Sequence, residues 1–294
     1  MPMTYGDTRT RLRALKRKYP EALRLLTIGE SLQGRHIICG VAGRETAPRH
    51  ILVQAAIHAR EYGGAWVLLR QMEALLRRGI SPNHCWHFIP MTNPDGVEIS
   101  IRQAATAYLT SLYQNDPKGA SAGLPLREYL RRWKANARGV DLNRNFPACF
   151  DRVEQLAAPA AEGYRGRAAE SEPETRALMA YAAARPFALS LSYHAAGREL
   201  YYEFCHAPAD SNKAIRALLA NAAGKALALR AAAVNGYAML PDGGNSFGGF
   251  KDWMIMEQGV PSLTIELGYG PCPLACWDAW LAYQQNRRLF EALV

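Results

Sequence analysis

Apolar residues recur along this chain in two rhythms, and the rhythm changes from segment to segment. Thr8 to Tyr19 carries Leu12, Leu15 and Tyr19 at helical spacing and stops before Pro20, whose ring cannot continue a helix. Leu23 to Glu30, Arg35 to Val41 and Ile51 to Ile57 read as strands, the first two joined by a turn at Gln33 and Gly34. Tyr62 to Arg78 returns to a helical stripe through Trp66, Leu69, Met72 and Leu75 or Leu76, and Cys85 to Met91 is a further buried strand. Beyond it the pattern predicts helices at Leu126 to Ala137, Glu172 to Ala184, Ser211 to Ala232, Gly248 to Glu257 and Ala279 to Leu293. Strands are predicted at Phe187 to Tyr193, Glu199 to Phe204 and Ser262 to Leu267.

Strands that alternate with helices imply a sheet covered on both faces, so the expected class is α/β. Gly- and Pro-containing stretches such as Asn115 to Pro125 and Leu240 to Gly249 read as functional loops rather than linkers. One domain over residues 1–294 is expected, since 294 residues suit one substantial core.

Composition changes this picture little. Hydrophobic residues at 49% and charged residues at 21% leave no room for long disorder. The net charge of +9 would suit a polyanion, but its short basic runs, Arg9 to Lys18 and Arg127 to Arg138, fall at least in part on a solvated helix face. No nucleic-acid partner is expected. Six cysteines are spread along a chain too large to need stapling, and buried reduced thiols are the plain reading. The first eighteen residues lack the apolar stretch of a secretory signal, and no run approaches ~18 apolar residues, so the expectation is a soluble cytoplasmic chain with no membrane span.

The chemistry gathers where strands end. His58-Ala59-Arg60-Glu61 follows the strand Ile51 to Ile57, and two ligands three residues apart at such a junction converge on one point. By itself the tetrapeptide is equally a surface ion pair. His194 ends another strand, with Ala195, Ala196 and Gly197 leaving space beside the imidazole; a histidine capping a strand on backbone is its plainer account. Glu266 stands between Ile265 and Leu267, where a carboxylate is costly to bury unless it is paired or works as an acid or base. Gly139 to Pro147 packs Asp141, Asn143, Arg144 and Asn145 too densely for core and too regularly among apolar residues for an idle loop.

In order along the chain these pieces are His-Ala-Arg-Glu, Asn93-Pro94-Asp95-Gly96, Gly-Val-Asp-Leu-Asn-Arg-Asn-Phe, Ser171-Glu172-Pro173-Glu174-Thr175, Ser192-Tyr193-His194 and Thr264-Ile265-Glu266. The series resembles the zinc metallocarboxypeptidase family, from Ile28-Gly29-Glu30-Ser31 with Gly34-Arg35 to about Gly270. The resemblance implies a mixed, mostly parallel twisted sheet of about eight strands with helices on both faces. It implies one Zn2+ held by His58, Glu61 and His194, with Asp141 orienting His58 from behind. It also implies that Asn143 and Arg144 grip a substrate carboxylate, that Arg60 touches the substrate, and that Glu266 is the general base toward a zinc-activated water.

Departures from the family bear on the substrate. An oxyanion needs a cation; the family has an Arg after a Trp, whereas here Trp133-Lys134 stands there, with Arg138 just before Gly139. Arg138 is slightly favoured for its fixed fork, and Lys134 is the positional match. A mobile family Tyr is replaced by Gly244, with Tyr237 or Tyr269 as substitutes. Gly248 to Trp253 and Tyr193 to Tyr202 resemble the bacterial branch that cleaves γ-D-glutamyl-meso-diaminopimelate bonds in murein peptides. Lys251 falls at the specificity position, where a cation favours an acidic or zwitterionic side chain. The expected partner is therefore a murein-derived peptide. The rivals are a zinc amidase of N-acyl amino acids and a non-catalytic wall-peptide binder.

Overall fold

The computed structural model describes residues 3–154, 156–206, 211–242 and 247–294. Helix α1 (Tyr5–Lys18), opened by reciprocal bonds between Thr4 and Asp7, leads into strands β1 (Leu23–Glu30), β2 (His36–Gly43) and β3 (Arg49–Ala55). Then follow α2 (Gly63–Arg78), β4 (His84–Ile89), α3 (Pro94–Arg102), α4 (Ala107–Asn115), α5 (Leu126–Arg131) and α6 (Pro173–Ala183). The chain ends with β5 (Phe187–His194), β6 (Glu199–Tyr201), α7 (Ser211–Asn235), β7 (Ala238–Leu240), α8 (Phe250–Trp253), β8 (Ser262–Glu266), α9 (Cys276–Asn286) and α10 (Leu289–Leu293).

The eight strands make one mixed sheet in the order β1-β2-β4-β3-β5-β8-β6-β7. Strands β4, β3, β5 and β8 run parallel in its middle, and antiparallel pairs join β1 to β2, β2 to β4 and β8 to β6. Along β3, Ile51, Val53 and Ala55 face a core with α1, α2, α9 and α10, while Leu52 faces a second core with α6 and α8. The central strands are buried on both faces, so their apolar residues point to both sides, and the polar ones among them, His50, Gln54, His87, Ser190 and Ser192, are buried as well.

From β3 the chain crosses to β4 on one side, and β5 lies on the other. At such a reversal the loops leave in opposite directions and open a crevice at the strand carboxyl ends. Three of the expected site residues hang from that edge.

Several expected elements differ in extent, each for a local reason. The strand expected to reach Ile57 stops at Ala55, because Ala56 turns to φ 51° and the carbonyls of Ala55 and Ala56 accept the amides of Thr92 and Asn93. The helix expected to reach Ala137 ends at Arg131, since Lys134 and Ala135 bond to Ala161 instead of continuing the turn. The last helix divides into α9 and α10 around a buried Asn286. Helices α3 and α4 and strand β7 have no counterpart in the pattern. Helix α7 contains a stretch, Asn212–Asn235, long and apolar enough to cross a membrane by length and composition, which the count of uninterrupted apolar residues passed over. It packs on β8 and α10, with Leu227, Ala228 and Ala231 in the core. None of the six cysteines is in a disulfide; Cys39 and Cys85 are buried, and Cys205 and Cys276 are exposed.

Between β3, β4 and α6 runs a buried polar line. His50 Nδ1 is 3.0 Å from His87 Nε2, His87 Nδ1 is 2.7 Å from the Tyr181 hydroxyl, and Cys39 Sγ donates to that hydroxyl at 3.3 Å. One neutral assignment satisfies every atom: thiol to phenol, phenol to His87, His87 to His50, and His50 to the Glu45 carbonyl at 3.1 Å. Burial, helped by His50 and Arg185, pushes His87 down to about 3. The unfolded chain takes up this proton below about pH 6.5 while the folded chain refuses it, so stability is full above that pH and falls as pH drops toward 3. The slope is at most about 1.4 kcal/mol per pH unit. Urea midpoints at pH 7.5 and pH 5 are therefore expected to differ more for the natural chain than for His87→Gln; equal differences would remove His87 from the account.

Candidate metal and peptide site

His58 arrives on the turn after β3, which Asn93 pins by donating to the carbonyls of Ile57 at 3.1 Å and Ala135 at 3.0 Å. Glu61 follows on a single 3-10 turn, Ala59–Glu61, and His194 is the last residue of β5. The three meet. His58 Nδ1 lies 2.9 Å from one Glu61 oxygen and 3.0 Å from His194 Nδ1, and His194 Nδ1 lies 3.1 Å from the other oxygen. All three are buried.

Two imidazole nitrogens and a carboxylate that converge so closely hold few protons among many lone pairs, a surplus that a cation relieves. The donor set, two histidines and one glutamate, is one of those used for catalytic zinc, with a position left over for water or substrate. Burial draws the His58 imidazole below its ordinary value. At His194 burial pulls the same way but is outweighed by the hydrogen bond and charge of Glu61, so its value rises. Behind His58, Asp141 Oδ1 stands 3.3 Å from Nε2, off axis for a hydrogen bond. Asp141 is itself fixed by the amides of Asn143 and Gly163 at 3.1 and 3.2 Å. Its burial opposes ionisation, yet Lys134 and His58 hold it well below the usual carboxylate range.

Glu266 ends β8 directly beside His194, with which it is paired across the sheet. Its carboxylate keeps one face on a cavity and, among the described residues, has no hydrogen-bond partner. Burial is the first cause that pushes it up to about 7; the Glu61 charge adds to this, against the pull of His194 and Lys134.

That cavity, about 180 Å³, is lined by His58, Lys134, Asn143, Arg144, His194, Tyr201, Lys251, Asp252 and Glu266 among others. Asn143 accepts the Phe250 amide at 3.0 Å through its side-chain oxygen, which leaves its NH2 group to face a ligand. A wider limb of about 570 Å³ continues past Glu61 and Lys134 to Arg60, Arg131, Arg132 and Tyr269. A separate cavity between α1 and the β1–β2 hairpin, about 490 Å³, holds none of the expected residues.

The chain matches the zinc carboxypeptidase family over residues 8–273. It belongs to that family. A zinc carboxypeptidase uses a single zinc ion, and the cluster of His58, Glu61 and His194 fits it. The gamma-D-glutamyl-L-diamino acid endopeptidase 1 of Lysinibacillus sphaericus is 28% identical over 83% of this chain, which spans 61% of that relative's length. Carboxypeptidase D of Drosophila melanogaster is 27% identical over 90% of this chain and 20% of its own. Among solved structures, the murein-tripeptide amidase MpaA of Escherichia coli O157 shares the fold with TM-score 0.54 and 21% identity, over 94% of each chain. Bovine thrombin-activatable fibrinolysis inhibitor does so at 0.72 and 16%, over 98% of this chain and 94% of its own.

Against the expected assignments, the structure moves one residue away from the cavity and keeps the others along it. Arg138 is not at the site. It bonds Glu172 at 3.3 Å and lines another cavity with Tyr108 and Tyr164, because the turn at Asn136 to Gly139 sends its side chain away from Glu266. Lys134 is the cation beside the histidines, 3.9 Å from Asp141. Arg60 lies in the wider limb, bonded to the Arg132 carbonyl and to Glu162. Of the tyrosines weighed as substitutes, Tyr237 is buried on Gln285 and Asn286, while Tyr269 is on the rim of the wider limb. Gly244 lies outside the described residues. Tyr201 faces both limbs and escaped the sequence reading, since nothing marks one tyrosine of Tyr201-Tyr202 as pointing inward before the β6–β8 register is known.

Proposed function

We propose that this zinc carboxypeptidase hydrolyses an amide bond next to a free carboxylate, the bond between D-glutamate's γ-carboxyl and meso-diaminopimelate in murein peptides. One observation carries the reading: the Arg144 and Asn143 side chains line the same small cavity as His58, His194 and Glu266, so a C-terminal residue held by its carboxylate brings its own amide to the metal position. Arg suits this because its planar fork meets a carboxylate through two parallel hydrogen bonds. The similarity to an endopeptidase for γ-D-glutamyl-L-diamino acids supports the choice of peptide.

Zinc in this donor set supplies Lewis acidity, lowering the pKa of a water from about 15.7 to about 7. Glu266, which has no hydrogen-bond partner among the described residues at the cavity wall, accepts in its ionised form a proton from the attacking water as the new C–O bond forms. It then returns the proton to the nitrogen as the C–N bond breaks, giving an acid and an amine. In this reading Lys134, which lines the same cavity, offsets the charge that develops on the carbonyl oxygen, and Asp141 keeps His58 in place. A cytoplasmic site of action, on wall peptides taken up for reuse, belongs to the same proposal.

Mass analysis of products from a panel of murein tripeptides and ordinary L-peptides, with and without chelator, tests it. Cleavage is expected at the γ-D-glutamyl bond and in the absence of chelator only. Intact γ-linked peptides beside cut L-peptides would send the reading back to an ordinary carboxypeptidase.

A further inference from the structure

Lys251 and Asp252 open α8 and sit in the wall of the small cavity, both almost fully buried at 6% and 2% exposure. The Lys251 ammonium donates to Asp252 Oδ1 at 2.5 Å and to the Glu203 carbonyl at 2.6 Å. An ammonium has three donors, so one is left. Asp252 has Lys251 as its partner through Oδ1, and Oδ2 lies toward Gly249, 2.7 Å from where a side chain there would place its Cβ. A side chain at 249 would crowd that oxygen.

A buried ion pair is a poor stabiliser, because taking two charges out of water costs about as much as their attraction returns. It does, however, make the wall electrically mixed. An unpaired Lys251 would welcome any anionic side chain. With Asp252 at its side, an anion meets a carboxylate, and a cation meets an ammonium. A group that carries both charges on one carbon gives each member of the pair a mate and leaves nothing uncompensated.

We infer that the Lys251–Asp252 pair reads a zwitterionic amino-acid end on the residue whose main-chain carboxylate Arg144 holds: the substrate's distal carboxylate takes the spare Lys251 donor and its ammonium takes Asp252 Oδ2. The inference rests on the γ-D-glutamyl-diaminopimelate reading and narrows it, since it makes the far end of the diamino acid, and not Lys251's charge alone, the selected feature. It adds Asp252 to the residues that determine specificity.

The test compares kcat/KM for three γ-D-glutamyl dipeptides that differ only at the far end: meso-diaminopimelate with both charges, 2-aminopimelate without the distal ammonium, and L-lysine without the distal carboxylate. The natural, zinc-loaded enzyme is expected to favour the first over each of the others at least about tenfold. Asp252→Asn should bring the preference over 2-aminopimelate below about threefold, Lys251→Met should do the same for the preference over L-lysine, and Asp252→Glu should retain the natural order. If the natural enzyme cuts all three within about twofold, or if each substitution lowers all three rates by one common factor, the pair is a structural element and the inference is overturned. The natural enzyme's ranking decides the matter even where a variant fails to fold. Failure of the parent reading looks different: none of the three is cut, while other peptides are.

Discussion

Replacing Glu266 by Gln is expected to lower kcat by about 10³-fold while leaving zinc content, fold and peptide affinity near their natural levels. The amide keeps the size and polarity of the side chain at the end of β8 but accepts no proton, and general-base assistance is worth about 10²–10⁴ in rate. The pH profile carries the same signature. A carboxyl raised by burial works as a base only above its pKa, so kcat/KM should fall on the acid side, tenfold per pH unit at the limit, with an inflection at or below pH 7. The inflection lies below that value to the extent that bound zinc joins His194 and Lys134 in favouring the charged form. Steady-state rates from pH 5 to 9, with zinc assayed in each sample, check both statements. A Glu266→Gln enzyme within tenfold of the natural rate would move the base elsewhere, and Glu199, on the wider limb with its carboxylate bonded to Tyr201, would be the next residue to test.

The second large effect concerns the metal. Glu61→Ala and His194→Ala each remove one arm of the buried triad and leave the other two facing each other without enough donors, so zinc after dialysis should fall from about one per chain to below about a tenth. Activity should vanish with it. Asp141→Asn keeps all three ligands and changes only the charge behind His58, and its expected loss in affinity is smaller, about 10–100-fold. Because a ligand bound to the folded state alone stabilises it by RT ln(1 + [L]/Kd), added zinc should raise the melting temperature of the natural chain and of Asp141→Asn, and not of Glu61→Ala. Metal emission spectroscopy and melting curves with and without zinc read these outcomes. One tightly held zinc in Glu61→Ala would mean that the ligand set is drawn wrongly.

Part of the motif series turns out to be framework. Asn93 ties the His58 turn to Ala135, and Asp95 collects Ser31, the Gln33 amide and Arg35, which joins the first hairpin to α3. Asn145 bonds the carbonyls of Arg165 and Ala168, and Glu172 receives Asn136. These residues look as chemical in the sequence as His58 does, because buried polar groups that brace loops need the same side-chain types as those that meet a substrate. A string of letters shows the need for a partner and not which partner is met.

What the sequence determined by itself was whatever depends on neighbours along the chain: most of the helices and strands, from period and from proline, and the sites where His58, His194 and Glu266 leave the ends of strands. The order of motifs also carried the family and its zinc. The tertiary structure decided whatever depends on distance across the sheet. It brought Lys134 into the cavity that His58 and His194 line and turned Arg138 toward Glu172, although they stand only four positions apart, because a single turn at Asn136 reverses the direction of a side chain. It also bound Lys251 to Asp252 inside the cavity wall, so that a residue which reads in the sequence as a lone cation is half of a neutral pair. Charge acts through space and through the water a fold excludes, and neither is written in the order of residues.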